Sequence, residues 1–278
     1  MSLLITSLNS GSNGNCYYIG NEKEAILIDA GISCKETEKR MSRLNLPIQK
    51  LKAIFVSHEH SDHIKGIEVL SKKYQLPVYI TDNTLLHAGL TLDKSLLRPF
   101  KSFEKITIGN LSIIAFPKLH DACDPYSFVV DGNGIKVGVF TDIGAPCEQV
   151  IKYFKLCHAA FLEANYDDTM LNNGGYPYYL KKRISGGFGH LSNNQALRLF
   201  LEHRPAHMSH LLLSHLSKNN NCPNLVQDLF NDNSNGVQMI VASRNEETPV
   251  FHIQSLPASI NKIKPRSTLQ MQLEFSFV

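Results

Sequence analysis

Short apolar runs alternate with amphipathic stretches along nearly the whole chain. "SLLITSL" and "CYYIG" read as strands around the turn "NSGSNGN", and "AILIDAG" as a strand that closes on Asp29 and Gly31. "KAIFVS" and "LPVYIT" are further buried strands, and the spacing in "TEKRMSRLNL", "IKGIEVLSKKY" and "NTLLHAGL" predicts helices between them. Past residue 100 the strands crowd, as "KITIG", "LSIIAFP", "YSFVVD" and "KVGVFTD", with a hairpin turn "DGNG" at Asp131 to Gly134. Helical patterns then return in "CEQVIKYF", "PYYLKKRISG", "NNQALRLFLEHR" and "CPNLVQDLFN", interleaved with the strands "HAAFLEAN", "HMSHLLLSHLS" and "GVQMIVAS". Two β-rich halves, each flanked by helices, point to an α/β chain layered as an αββα sandwich. The alternation by itself equally allows a doubly wound sheet. The pattern holds no repeat or obvious linker, so one domain over residues 1–278 is expected, with roughly 257–278 as a C-terminal extension. The last ten residues, "LQMQLEFSFV", alternate with period two and predict an added strand.

Composition changes this picture little. A chain of 278 residues can bury a full core, and 43% hydrophobic with 19% charged residues is ordinary for a globular protein. A formal charge of +3 tolerates an anionic partner without requiring one. Six cysteines without a CxxC pair argue against a zinc finger and against a disulfide framework. "MSLLITSLNS" lacks the basic and apolar regions of a signal peptide, and no run nears the ~20 apolar residues of a membrane span. No membrane association and a reducing cytoplasm are the expectation.

The chemistry concentrates at "FVSHEHSDH", Phe55 to His63, where three His and two acids follow a hydrophobic strand. His58 and His60 are two apart on an extended segment, so both imidazoles reach one ion. Asp62 and His63 then open a helix and face a second. One loop cannot close two sites, so further ligands must come from elsewhere in the same context. His120 follows "LSIIAFPKL", Asp142 follows "KVGVFT" and His215 follows "HLLLS". Each alone reads as a cap or a core residue; as a set beside the cluster they favour ligation.

These residues, with "LIDAG" (Asp29), "TDIG" and "LSHLS", resemble the metallo-β-lactamase superfamily over residues ~1 to 245. The resemblance implies an αββα sandwich with a metal site at one edge. It implies that His58, His60 and His120 hold one metal, that Asp62, His63 and His215 hold the other, and that Asp142 bridges them. Asp29 would be a buried group that steadies the ligand loop. The ions would be two divalent metals, zinc or manganese by donor type. The superfamily hosts many reactions. A bridging Asp and no Cys ligand suggest phosphodiesters or thioesters rather than β-lactams.

"YPYYLKKRISGGFGHLSNNQA" separates those classes. It resembles an element of the tRNA-processing nuclease RNase Z, in which a Gly-flanked His assists the leaving group. By that resemblance His190 is the proton donor, and Glu163 in "LEAN" orients it. Ser192 is placed to cap the next helix. The chain is more similar still to a bacterial branch, YycJ, also called WalJ or VicX. The likeness lies in "SGSNGNCYYI", "HDACDPYSF", "EANYD", "YPYYLKKRISG", "GHLSNNQA" and "LSHLSKNNN". It implies a nuclease, and in particular a 5′-to-3′ exonuclease on DNA. Lys181, Lys182 and Arg183 beside this loop would meet phosphates. "GSNGN" lacks the Lys-Ser/Thr of a P-loop and reads as a turn at the site rim. Gln270, Leu273 and Phe275 loosely resemble peptides that dock on the bacterial sliding clamp.

The expectation is therefore a dinuclear metal phosphodiesterase. Its metals acidify a water and clamp the phosphate, Asp62 accepts the water's proton, and His190 protonates the leaving oxygen. Alternatives are an RNA-processing nuclease, a glyoxalase-II-like thioesterase on the same metals, and a metal-bound scaffold in a signalling or division complex.

Overall fold

The computed structural model describes residues 2–255. The strand and sliding-clamp readings of the C-terminal tail, including Gln270, Leu273 and Phe275, lie outside the described residues. Two seven-stranded mixed sheets stack face to face. The first comprises β1 (Leu3–Asn9), β2 (Cys16–Gly20), β3 (Ala25–Ile28), β4 (Leu51–Phe55), β5 (Val78–Tyr79) and β6 (Leu97–Arg98), closed on the β1 edge by β14 (Phe251–Ile253). The second comprises β7 (Lys105–Ile108), β8 (Leu111–Pro117), β9 (Tyr126–Gly132), β10 (Ile135–Phe140), β11 (Ala159–Glu163), β12 (His210–Ser214) and β13 (Gln238–Val241), paired in that order. The sandwich thus prevails over the doubly wound alternative.

Each sheet changes from antiparallel to parallel pairing partway across. β1 to β3 pair antiparallel and β3 to β6 parallel; β7 to β10 pair antiparallel and β10 to β13 parallel. The parallel steps need crossovers, and these supply the helices. On the first sheet lie α1 (Cys34–Arg43), α2 (Ser61–Ile64), α3 (Ile67–Tyr74) and α4 (Asp82–Ala88). With the second sheet go α5 (Glu148–Phe154), α6 (Asp168–Asn173), α7 (Tyr178–Ser185), α8 (Asn193–His203) and α9 (Pro223–Asn231). Three buried clusters follow. One fills the space between the sheets, with Ile5, Tyr17, Phe55, Phe128, Val137, Phe161 and Leu212. One lies under α1 and α3, with Leu27, Met41, Ile54, Ile67 and Leu70. The third lies under α5, α8 and α9, with Phe140, Val150, Phe200, Phe230 and Leu213. Strands covered on both faces have no polar alternation, which is why β2, β3 and β11 are buried at every position.

The sequence reading differs at a few boundaries. The helix expected over "IKGIEVLSKKY" is split, because Gly66 stands between α2 and α3 and its N–H donates to the Ala30 carbonyl. α1 begins at Cys34, three residues before its expected start, because the Ser33 side chain accepts the Glu36 N–H. β6 and β14 carry no local signal: strands of two and three residues exist only because a neighbouring edge pairs with them.

Candidate metal centre

β1, β3 and β4 run the same way in the first sheet, and β8, β10, β11 and β12 run the same way in the second. Their C-terminal ends therefore meet at one edge of the sandwich. That edge gathers Asp29 after β3, the "HEHSDH" loop after β4, His120 after β8, Asp142 after β10, Glu163 at the end of β11 and His215 after β12. Asp29, Asp142 and His215 all carry left-handed backbone, at φ 60°, 55° and 56°. For residues other than glycine this conformation costs on the order of 1 kcal/mol each. The chain turns sharply at each strand end, and the turn aims the side chain into the edge.

Four sets of His and acidic side chains at this edge have ligand atoms within 4.8 Å of one another. They are His58–His60–His120, Asp62–His63–His215, His58–His63–Asp142 and Asp142–Glu163–His190–His215. The structure brings together all seven residues expected as ligands, with Asp142 between the two groups. The hydrogen bonding supports the fit to metal. His120 Nδ1 donates to the Gly189 carbonyl at 3.0 Å, which leaves its buried Nε2 without a hydrogen-bond partner. His215 Nδ1 faces Glu163 Oε1 at 2.9 Å, and its Nε2 is likewise buried and unpaired. Asp142 Oδ2 is a third orphan. His63 Nδ1 faces Asp29 Oδ2 at 2.7 Å, and its Nε2 points to Asp142 at 3.2 Å. His120 and His215, each pinned through one nitrogen and bare at the other among the described residues, are what a cation needs, and unpaired buried polar atoms are otherwise expensive.

Asp29 lies behind the ligand loop and bonds to it. Its fully buried carboxylate accepts the Ser57 N–H at 2.8 Å and the Ser57 hydroxyl at 2.7 Å while it holds His63. Ser57 itself lies 2.8 Å from His58 Nδ1, so one carboxylate and one hydroxyl set two rings.

Electrostatics follow from this crowding. Burial opposes charge on His63, yet Asp142, Asp29 and Asp62 outweigh it and lift its pKa to about 10. Burial would raise the Asp62 carboxyl, but His63 and His215 hold it below the usual range. Burial likewise opposes the Glu163 carboxylate, while His190 and His215 pull its pKa down to about 2. His120 moves the other way, to about 4, chiefly because it is buried.

Several participants escaped the sequence reading. Asn15 Nδ2 donates to Asp62 Oδ2 at 3.1 Å and lies 3.1 Å from His63 Nε2. The "GSNGN" turn thus acts on the site through a side chain. The Ser10 hydroxyl accepts the His215 N–H at 2.7 Å and ties the two sheets together. Lys118 is buried behind the cluster and donates to the Thr141 carbonyl at 2.7 Å, and burial lowers its pKa. A lysine directly after "LSIIAFP" was the available signal for it. Asp121, next to His120, bonds Arg183 at 2.5 Å. Lys181 donates to the Asn172 carbonyl, and the Lys182 ammonium sits 5.6 Å from the centre of the Tyr178 ring. The basic triplet therefore divides: Arg183 is neutralised beside the site, whereas neither lysine is ion-paired among the described residues.

Gly31 shows how closely the loop is held. Its N–H donates to the Asn15 carbonyl, and a Cβ there would overlap the Asp62 carbonyl. Gly31→Ala is expected to destabilise the fold by about 2–3 kcal/mol and to lower metal content. Urea unfolding and elemental analysis would check both, and a native midpoint with full metal would refute it.

The description "Beta-lactamase superfamily domain" matches residues 24–215 of the chain. Exodeoxyribonuclease YycJ of Bacillus anthracis is 34% identical over 232 residues, covering 82% of this chain and 87% of that protein. Exodeoxyribonuclease WalJ of Streptococcus pneumoniae is 32% identical over 225 residues, covering 78% and 83%. Among solved structures, the metallo-β-lactamase fold protein YhfI of Bacillus subtilis superposes with a TM-score of 0.69 at 19% identity, covering 91% of this chain and all of that one. With these matches and a cluster of His and acidic side chains able to hold metal, the chain is a metal-dependent hydrolase that belongs to the β-lactamase superfamily, in the branch that holds YycJ and WalJ.

Proposed function

We propose that the protein is a dinuclear metal-dependent nuclease that removes nucleotides from DNA in the 5′-to-3′ direction. The observation that carries the reading is the pair formed by Glu163 and His190 beside the cluster, with His190 Nδ1 2.8 Å from Glu163 Oε1. The names of the two relatives support the substrate class. His58, His60 and His120 would hold one ion, Asp62, His63 and His215 the other, and Asp142 both. Divalent ions held there supply Lewis acidity toward a phosphoryl oxygen and toward water.

The chain's own groups supply the proton traffic. The His190 Nδ1–H donates to Glu163, so Nε2 is the nitrogen left for substrate, and the side chain keeps 21% exposure. With Glu163 holding the ring through Nδ1, an Nε2–H is placed to protonate the departing oxygen. Glu163 is itself fixed, because its Oε2 accepts the Ile143 and Leu191 N–H groups at 2.8 and 3.1 Å. Asp62, 20% exposed and held ionised by its His neighbours, accepts the proton of the attacking water. A thioester would leave the proton donor unused, because a thiolate departs without protonation.

The test is linear DNA with a 5′-phosphate, labelled separately at each end, with Mn²⁺ or Zn²⁺ and with a chelator control. Early release of the 5′ label as a mononucleotide, abolished by chelation, is expected. Intact DNA with metal bound would overturn the DNA reading, and the same assay on RNA would then decide the alternative nuclease.

A further inference from the structure

α7 buries none of its residues, yet two of its eight are tyrosines. Tyr178 and Tyr179 are each 74% exposed, and Phe188 in the glycine loop that follows is 61% exposed. No other Tyr or Phe among the described residues is as open to solvent. Single exposed apolar side chains are ordinary. Leu180 and Ile184 are the half-buried apolar side chains of α7, so the three open rings at 178, 179 and 188 have no folding explanation.

Their placement suggests one. The Ile184 carbonyl accepts the His190 N–H at 2.8 Å, and the Gly186 carbonyl accepts the Gly189 N–H at 2.9 Å. The end of α7 is therefore fastened to the loop that carries His190. A Cβ on Gly144 would meet the backbones of Gly187 and Phe188, so the Phe188 loop is seated on the turn after Asp142. Arg183 reaches Asp121, the neighbour of His120. Helical spacing puts Tyr178 with Lys182 and Tyr179 with Arg183 on the outer face, and the contact of Lys182 with the Tyr178 ring agrees. Rings alternate with cations along a surface that leads into the metal-competent edge.

We infer that α7 and Phe188 form a stacking strip for the unpaired bases of single-stranded nucleic acid, with Lys181 and Lys182 on its phosphates. The inference rests on the phosphodiesterase reading of the adjacent site. Every base has a π-face, so stacking on Tyr and Phe is tolerant of sequence, while a duplex hides those faces in its own stack. The strip therefore selects single strands or frayed ends over blunt duplex. Its lysines make binding weaken as salt rises.

The chain contains no tryptophan, so Phe188→Trp creates a single reporter in the strip. Non-cleavable phosphorothioate oligothymidylate, oligouridylate and a blunt duplex of equal length would be titrated into this variant, with anisotropy of labelled oligonucleotide in parallel. Quenching by both single strands is expected, with at least tenfold weaker binding of the duplex. Quenching by one single strand alone also supports the strip and assigns it to DNA or to RNA. Tyr178→Ala with Tyr179→Ala is expected to weaken single-strand binding about tenfold or more, and Tyr178→Phe with Tyr179→Phe to restore it. An unquenched tryptophan with oligonucleotide bound, a double-alanine variant that binds like wild type, or equal affinity for the duplex would each overturn the strip. Hydrolysis is not the readout, so the two readings fail separately. A protein that binds this way but cleaves no phosphodiester keeps the strip and loses the nuclease.

Discussion

His60→Ala abolishes hydrolysis, lowering turnover by about 10³-fold or more, and the protein loses bound metal. The reason is local. His60 precedes α2 and is only half-buried, and its Nδ1 lies 3.1 Å from His58 Nε2. Its ring packs edge-on against the rings of His58 and His120. Its removal leaves His58 and His120 as a pair, one donor short of the His58–His60–His120 set. Metal content by elemental analysis should fall by about one ion per chain, while thermal unfolding of the chelated protein stays at the wild-type midpoint. Full metal and full activity in this variant would remove His60 from the centre.

His190→Ala separates binding from chemistry. Both ions should stay, because His190 belongs to neither the His58–His60–His120 set nor the Asp62–His63–His215 set. Turnover on DNA should fall by about 10²–10⁴-fold, the usual worth of a positioned acid. The loss should shrink sharply with a p-nitrophenyl phosphodiester, whose leaving group departs without a proton. An equal loss on both substrates would make His190 a structural residue. Glu163→Gln gives the contrast, because Glu163 Oε1 faces Nδ1 of both His190 and His215. Removing that charge should cost metal and turnover together.

The legible part of this site was the part written locally. Four of the seven expected ligands lie in one hexapeptide after a buried strand. His120, Asp142 and His215 could be read because each ends an apolar run, and strands of one sense place their ends along one edge. The layered α/β class followed from the same runs. What periodicity could not supply were elements without a period, such as the two-residue β6, and the gap Gly66 makes between α2 and α3.

Tertiary structure decided how the ligands are held. Ser57 joins Asp29 from 28 residues away, Asn15 meets Asp62 across 47, and Ser10 meets His215 across 205. It also decided that Arg183 pairs with Asp121, 62 residues distant, while Lys181 and Lys182 carry no ion pair among the described residues. A sequence determines which donors exist and at which strand ends they emerge. Which nitrogen of each imidazole turns inward depends on partners brought close only when two sheets pack and three strand ends take the left-handed turn.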